Sequence, residues 1–250
     1  MAKARDRFSS ASGKNHEFAA TRWSVVVVAG RRSSPDSQKA LQSLCEAYWY
    51  PLYAYVRRRV ADSNDAHDLT QAFFAELLAK NYVGSARAER GRFRAFLLAS
   101  LKHFLSKERD KAKAQKRGGG KAPISLDFES ADSRYRVEPG CDLTAEQIYD
   151  REWAIALLGR ILQRLERESA ENGKAEQFEE LKGFLIGDHG GATYADVAHR
   201  LGTTEAATKM AAHRLRRRYR ELLREEIAET VSSPEEVEDE IAKLFVTLQL

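Results

Sequence analysis

Cysteine is nearly missing from this chain: Cys45 and Cys141 are the only two in 250 residues, and neither sits in a CxxC pair or a Cys/His cluster. That argues against a disulfide scaffold and a metal site, and structural thiols in a reducing cytosol are the expectation. No stretch approaches the ~18 apolar residues of a membrane span, and the N-terminus has no apolar export segment. A cytoplasmic protein with no membrane role is expected. Proline is scarce, with five residues, and the period-two alternation of half-buried strands is almost absent. His67, His103, His199 and His213 stand singly, there is no glycine-rich phosphate loop, and no Ser or Cys lies in an activated context. Neither catalysis nor a cofactor nor a metal is expected.

What remains is a chain for folding into helices. Hydrophobic residues make up 43%, and long periodic segments rich in Ala, Leu, Arg and Glu dominate. The fold class expected is all-α. Net charge is only +4, from 41 Lys and Arg against 37 Asp and Glu, but the signs are segregated. Residues 102–121 hold eight bases and two acids, whereas residues 225–240 hold eight acids and no base. Bases concentrated near residues 110 and 214 fit two separate contacts with a polyanion.

The second basic region is KMAAHRLRRRYREL, residues 209–222, with six Lys and Arg and no acid between Lys209 and Arg220. At about 100° per residue, Thr208, Ala211, Ala212, Leu215, Tyr219 and Leu222 form one apolar stripe. Lys209, His213, Arg214, Arg216, Arg217 and Arg220 cover the opposite side. Upstream, TYADVAHRLGTTEAATK supplies a short amphipathic segment (Val197, Ala198, Leu201), Gly202, and Thr203 or Thr204 as an N-cap before Glu205. Helix, glycine turn and capped second helix spell a helix-turn-helix, whose second helix enters the major groove.

Along the chain, residues 1–20 are expected to be disordered. Thr21 and Ser34 are cap candidates for two helices, and Pro51 is expected to kink or restart the chain before PLYAYVRRRV. DSNDAHDLTQAFFAELLAKN is a helix that opens with acids, its apolar side formed by Leu69, Phe73, Phe74, Leu77 and Leu78. Acids in a first turn suit the helix dipole without any partner. RFRAFLLASLKHFLSKERDKAKAQKR begins apolar and ends basic: Leu97, Leu98, Leu101, Phe104 and Leu105 make a core stripe, with Phe96, Ser100, His103 and Lys107 opposite. An aromatic ring beside cations suits unpaired bases, by stacking and by charge; packing under the preceding loop is the other reading of Phe96. Residues 117–147, with three successive glycines and no sustained period, read as a linker between domains at 21–116 and 148–230. Residues 231–250 read as an appended helix with Val237, Ile241, Leu244, Phe245 and Leu248 on one side. Its charge and apolar stripe suggest that it folds back on the chain's own helices, either partly screening the basic recognition helix or serving as a stabilising cap that leaves the DNA face free.

Three of these motifs, in this order, carry a resemblance. DAHDLTQAFFAELL resembles the polymerase-binding helix of bacterial sigma factors, FRAFLLASLKHFLSKERDKAK the helix that melts and reads the minus-ten element, and TYADVAHRLGTTEAATKMAAHRLRRRYREL the helix-turn-helix that reads the minus-thirty-five element. Over residues 20–230 the chain resembles an extracytoplasmic-function sigma factor of the sigma-70 superfamily, of the variety with a TRWS-type N-terminal extension. The resemblance implies that Asp65, Asp68, Gln71 and Phe74 meet core RNA polymerase. Phe96, Ser100, His103, Lys107 and Arg109 would face the minus-ten strand of promoter DNA, and Thr204, Lys209, Met210, His213, Arg214 and Arg217 the minus-thirty-five groove. An anti-sigma factor or kinase is a further implied partner. Ala72 stands where such factors usually carry an acid, the linker is longer than usual, and the C-terminal helix is extra.

Two other classes compete. A polymerase-independent helix-turn-helix regulator would bind an operator without polymerase. A serine-recombinase-like enzyme would need a mixed α/β catalytic domain, against which the strand-poor N-terminal half argues.

Overall fold

The computed structural model describes residues 23–30, 35–86, 91–114, 142–187, 190–231 and 233–249. Among them every regular element is helical and no strand forms. In chain order these are α1 (Trp23–Ala29), α2 (Pro35–Arg59), α3 (Ser63–Ala79), a 3-10 turn (Tyr82–Ser85), α4 (Phe93–Ala114), α5 (Ala145–Glu171), α6 (Ala175–Ile186), α7 (Tyr194–Arg200), α8 (Glu205–Ala228) and α9 (Glu236–Gln249). None is long and apolar enough to cross a membrane. Residues 1–20, the cap candidates Thr21 and Ser34, Cys141 and the linker through residue 141 lie outside the described residues.

The helices group into two compact units: residues 17–156 with 227–250, and residues 157–226. The division falls inside α5, and α9 groups with the N-terminal helices. The linker also ends earlier than residue 147. Thr144 and Gln147 cap α5 reciprocally, Thr144 N donating to Gln147 Oε1 at 2.8 Å and Gln147 N to Thr144 Oγ1 at 3.2 Å. Once capped, the helix start is held down by Leu143 and Ile148, which pack against Ala54 of α2.

In the larger unit α2 is one helix of 25 residues that passes through Pro51 without a break, contrary to the restart expected there. An internal proline costs a helix about 3 kcal/mol. Tyr48, Leu52, Tyr53, Tyr55 and Val56 on either side are each at most 1% exposed, and burial on that scale outweighs the lost hydrogen bond. Aromatic edges tie the neighbouring helices together: Tyr48 meets Phe93 at 5.7 Å, and Phe73 meets Phe104 at 5.7 Å. The 3-10 turn comes in against the end of α1, where a Cβ on Gly30 would stand 2.8 Å from Gly84 Cα. Leu78, assigned to the apolar side of α3, is exposed.

In the smaller unit Leu181 of α6, Val197 of α7 and Ala211 and Ala212 of α8 form one buried cluster, flanked by Phe184, Tyr194, Leu201 and Leu215. Helix α7 opens with a capping box between Thr193 and Asp196. Gly202, at φ +61°, makes the left-handed turn that a side-chain-bearing residue adopts only with strain. Thr204 then caps α8, its Oγ1 accepting from Ala207 N at 3.2 Å.

Candidate nucleic-acid interface

The basic run on α8 divides into two functional halves. Arg218 places Nε 2.8 Å and Nη2 2.9 Å from the two oxygens of Glu168. Arg216 Nη2 donates to Tyr194 Oη at 2.9 Å and to the Phe184 carbonyl at 3.3 Å, and Tyr194 and Phe184 stack at 4.4 Å. Burial pushes the Tyr219 phenol well above its ordinary pKa. These three side chains pin α8 to its own unit. Arg216 therefore does not belong to the outward cation face on which the helical wheel placed it.

The outward face that remains is Lys209, Met210, His213, Arg214, Arg217 and Arg220, all exposed. Lys209 and Arg217 hold only neighbours on the same helix, Glu205 at 2.6 Å and Glu221 at 3.0 Å. Exposed pairs of this kind are worth little and yield readily to a phosphate. Arg214 and Arg220 make no ion pair among the described residues. Met210 is 55% exposed, an apolar tip among cations of the sort that meets a thymine methyl group. Thr204 stands at the head of this face, with its hydroxyl engaged in the cap.

On α4, His103 and Arg109 are exposed and Phe96, Ser100 and Lys107 are half-buried. The Phe96 ring lies nearly parallel to that of Phe93, centroids 5.9 Å apart and planes 25° apart. One side of Phe96 is thus packed on the core residue Phe93, a middle course between the two readings of its sequence. Lys107 Nζ is 3.4 Å from Glu76 of α3. Hydrogen bonds and charge from Lys80, then Lys107, hold the Glu76 carboxyl below its ordinary pKa.

Helix α3 presents Asp65 and Asp68 to solvent. Gln71 is half-buried, and its Oε1 is out of contact with solvent and has no hydrogen-bond partner among the described residues. Phe74 is 5% exposed and packs on Trp49 at 5.4 Å and on Phe73 at 5.7 Å. It is a core residue supporting the acidic face. His67, one position before Asp68, sits among Trp49 and Tyr53 rings, where burial lowers its pKa. Burial likewise pushes the Cys45 thiol up to about 12, which keeps it protonated and unreactive.

Sequence reasoning missed Arg92 and Arg94. Both contact Glu240 of α9: Arg92 Nη2 lies 2.6 Å from Oε2, and Arg94 Nη1 meets Oε1. Arg94 also approaches Asp150 at 3.4 Å and stands 4.1 Å above the Trp153 ring, while its carbonyl accepts from Tyr149 Oη at 2.9 Å. Of the acids in residues 225–240, Glu240 is therefore partnered at the start of α4, whereas Glu225 and Glu226 pair within the smaller unit, with Arg164 and, for Glu225, Arg218 of α8. No protein-family profile, curated protein or solved structure matches the chain.

Proposed function

We propose that this chain is a sigma-type transcription initiation factor, which binds core RNA polymerase and gives it promoter specificity and strand opening. The observation that carries the reading is the division of labour on α8. Arg216, Arg218 and Tyr219 are spent on holding the helix, while Lys209, Met210, His213, Arg214, Arg217 and Arg220 remain outward, directly after a short helix and a glycine turn. This is the side-chain set of a recognition helix in a helix-turn-helix, with phosphate-seeking cations around a base-contacting tip. The larger unit supplies the two other faces that a sigma factor needs. Phe96, Ser100, His103, Lys107 and Arg109 offer a ring and cations to an unpaired strand, and Asp65 and Asp68 offer an acidic helix face to a basic polymerase surface.

Co-purification with core polymerase, followed by run-off transcription on genomic fragments, tests the reading. Recovery of the catalytic subunits and discrete transcripts are expected. Duplex binding without polymerase would replace it with the operator-binding regulator.

A further inference from the structure

Glu240 is wholly buried, with 0% of its side chain exposed, and it faces Arg92 and Arg94, whose side chains are 25% and 14% exposed. Desolvating a carboxylate costs several kcal/mol, and a buried ion pair is a poor source of net stability beside an apolar side chain of equal volume. Val237 and Leu244 already supply α9 with apolar anchors on the same side. The pairing is also imperfect: the Arg92 contact at 2.6 Å lacks hydrogen-bond alignment, so Glu240 Oε2 has no properly directed donor among the described residues. A residue that is costly to bury and incompletely satisfied suits a contact that opens.

The position of Arg92 shows what could open it. Its carbonyl accepts from Ala95 N at 3.0 Å and Phe96 N at 3.2 Å, so Arg92 is in register with α4. Steps of four, four, three and four residues lead from it to Phe96, Ser100, His103 and Lys107, which is one row on a helix. Arg92 therefore heads the row that carries the ring and the cations, and Arg94 reaches the same carboxylate from the adjoining side. Two guanidinium groups closing on one oxyanion accept carboxylate and phosphate alike.

We propose that Arg92 and Arg94 form a backbone-phosphate site for single-stranded nucleic acid, continuous with Phe96, and that Glu240 occupies it as an intramolecular stand-in for the phosphate. Helix α9 is then a clasp that a strand must displace. The inference rests on the reading of the Phe96 row as a single-strand face, and it names the site at the head of that row.

Fluorescence anisotropy with a labelled twelve-nucleotide oligothymidylate and the full chain tests it. Glu240→Gln should bind the oligonucleotide about tenfold more tightly than wild type, with a steeper loss of affinity as salt rises. Adding Arg92→Gln and Arg94→Gln to Glu240→Gln should abolish the gain. Equal binding by wild type and Glu240→Gln, no binding by either, or a gain that survives loss of both arginines would overturn the proposal. Should Glu240→Gln misfold, hydrogen exchange of residues 236–249 in the wild-type chain gives a second reading. Saturating oligonucleotide should strip protection from α9, and unchanged protection in the bound state overturns the clasp. Core-polymerase capture, run on the same preparations, separates the two levels: a clasp without polymerase binding sinks the sigma reading alone, and polymerase binding without a clasp sinks this inference alone.

Discussion

Arg218 of α8 grips Glu168 of α5 with a two-pronged fork, Nε to Oε2 at 2.8 Å and Nη2 to Oε1 at 2.9 Å, and four residues earlier on the same helix Arg214 has no such partner among the described residues. Two arginines of one basic run thus have opposite duties. Arg218→Ala should destabilise the fold by about 1 kcal/mol, the scale of a partly exposed bidentate pair, and leave the outward cation face in place. Arg214→Ala should leave the melting temperature unchanged and weaken duplex binding uniformly across sequences, with a shallower salt dependence. Calorimetry and binding titrations on both variants check the assignment, and it is wrong if the two behave alike.

The same fork sets a pH dependence. Hydrogen bonds from Arg218, with the charges of Arg218 and Arg164 behind them, hold the Glu168 carboxyl below its ordinary pKa. Because the folded value lies below the unfolded one, the stabilisation is complete above the ordinary glutamate value of about 4.3. It drains away as pH falls through the folded value. Thermal melts of wild type and Glu168→Gln should therefore differ most near neutrality and converge on acidification. Parallel curves down to strongly acid pH would deny the pair its role.

Periodicity carried much of the α8 reading, since Thr208, Ala211, Ala212 and Leu222 are buried as the stripe requires and Thr204 caps the helix. The wheel also held information that a simple two-sided split discards. Arg218 lies only about 20° and Arg216 about 40° beyond the stripe, near enough for long side chains to reach inward. The Thr144–Gln147 cap was visible as a T-x-x-Q signature, whereas the continuity of α2 through Pro51 was not, because tertiary burial decided it. Glu240 lies 146 residues from Arg94, and no local pattern announces a pairing at that distance. What the run of acids displayed was a net charge, with no mark on Glu226 and Glu240, the two of its members that are buried.

Asp68 is exposed on α3 behind a core of Phe73, Phe74 and Leu77, so reversing its charge leaves the packing alone. Asp68→Arg should retain full helical content by circular dichroism and lose core-polymerase binding, since like charges across an interface cost more than a missing contact. Ala at Phe74 is the contrasting change. It empties a buried site at a cost of about 3–5 kcal/mol, and any loss of polymerase binding there should track unfolding. Undiminished affinity of a folded Asp68→Arg for core enzyme would remove α3 from the interface.

Phe96 and Phe93 lie in near-parallel contact, yet one is half-buried and the other is 2% exposed. The inner ring is a platform and the outer ring is the surface placed upon it. Phe96→Ala should therefore cost little stability, because the replaced ring is packed on one side, whereas Phe93→Ala should cost about 3–5 kcal/mol. Stacking of an unpaired base on an aromatic ring is worth about 1–3 kcal/mol, so the same Phe96→Ala change should impair opening of the start site by roughly 5- to 150-fold in the equilibrium while sparing duplex and polymerase binding. Phe96→Tyr keeps a π-face and should restore opening, which a role in apolar packing alone does not require. Permanganate footprinting of the melted strand reads the difference. If Phe96→Ala opens the duplex normally, or if it melts as early as Phe93→Ala, the outer ring belongs to the core and the strand-facing role passes to the polar residues of α4.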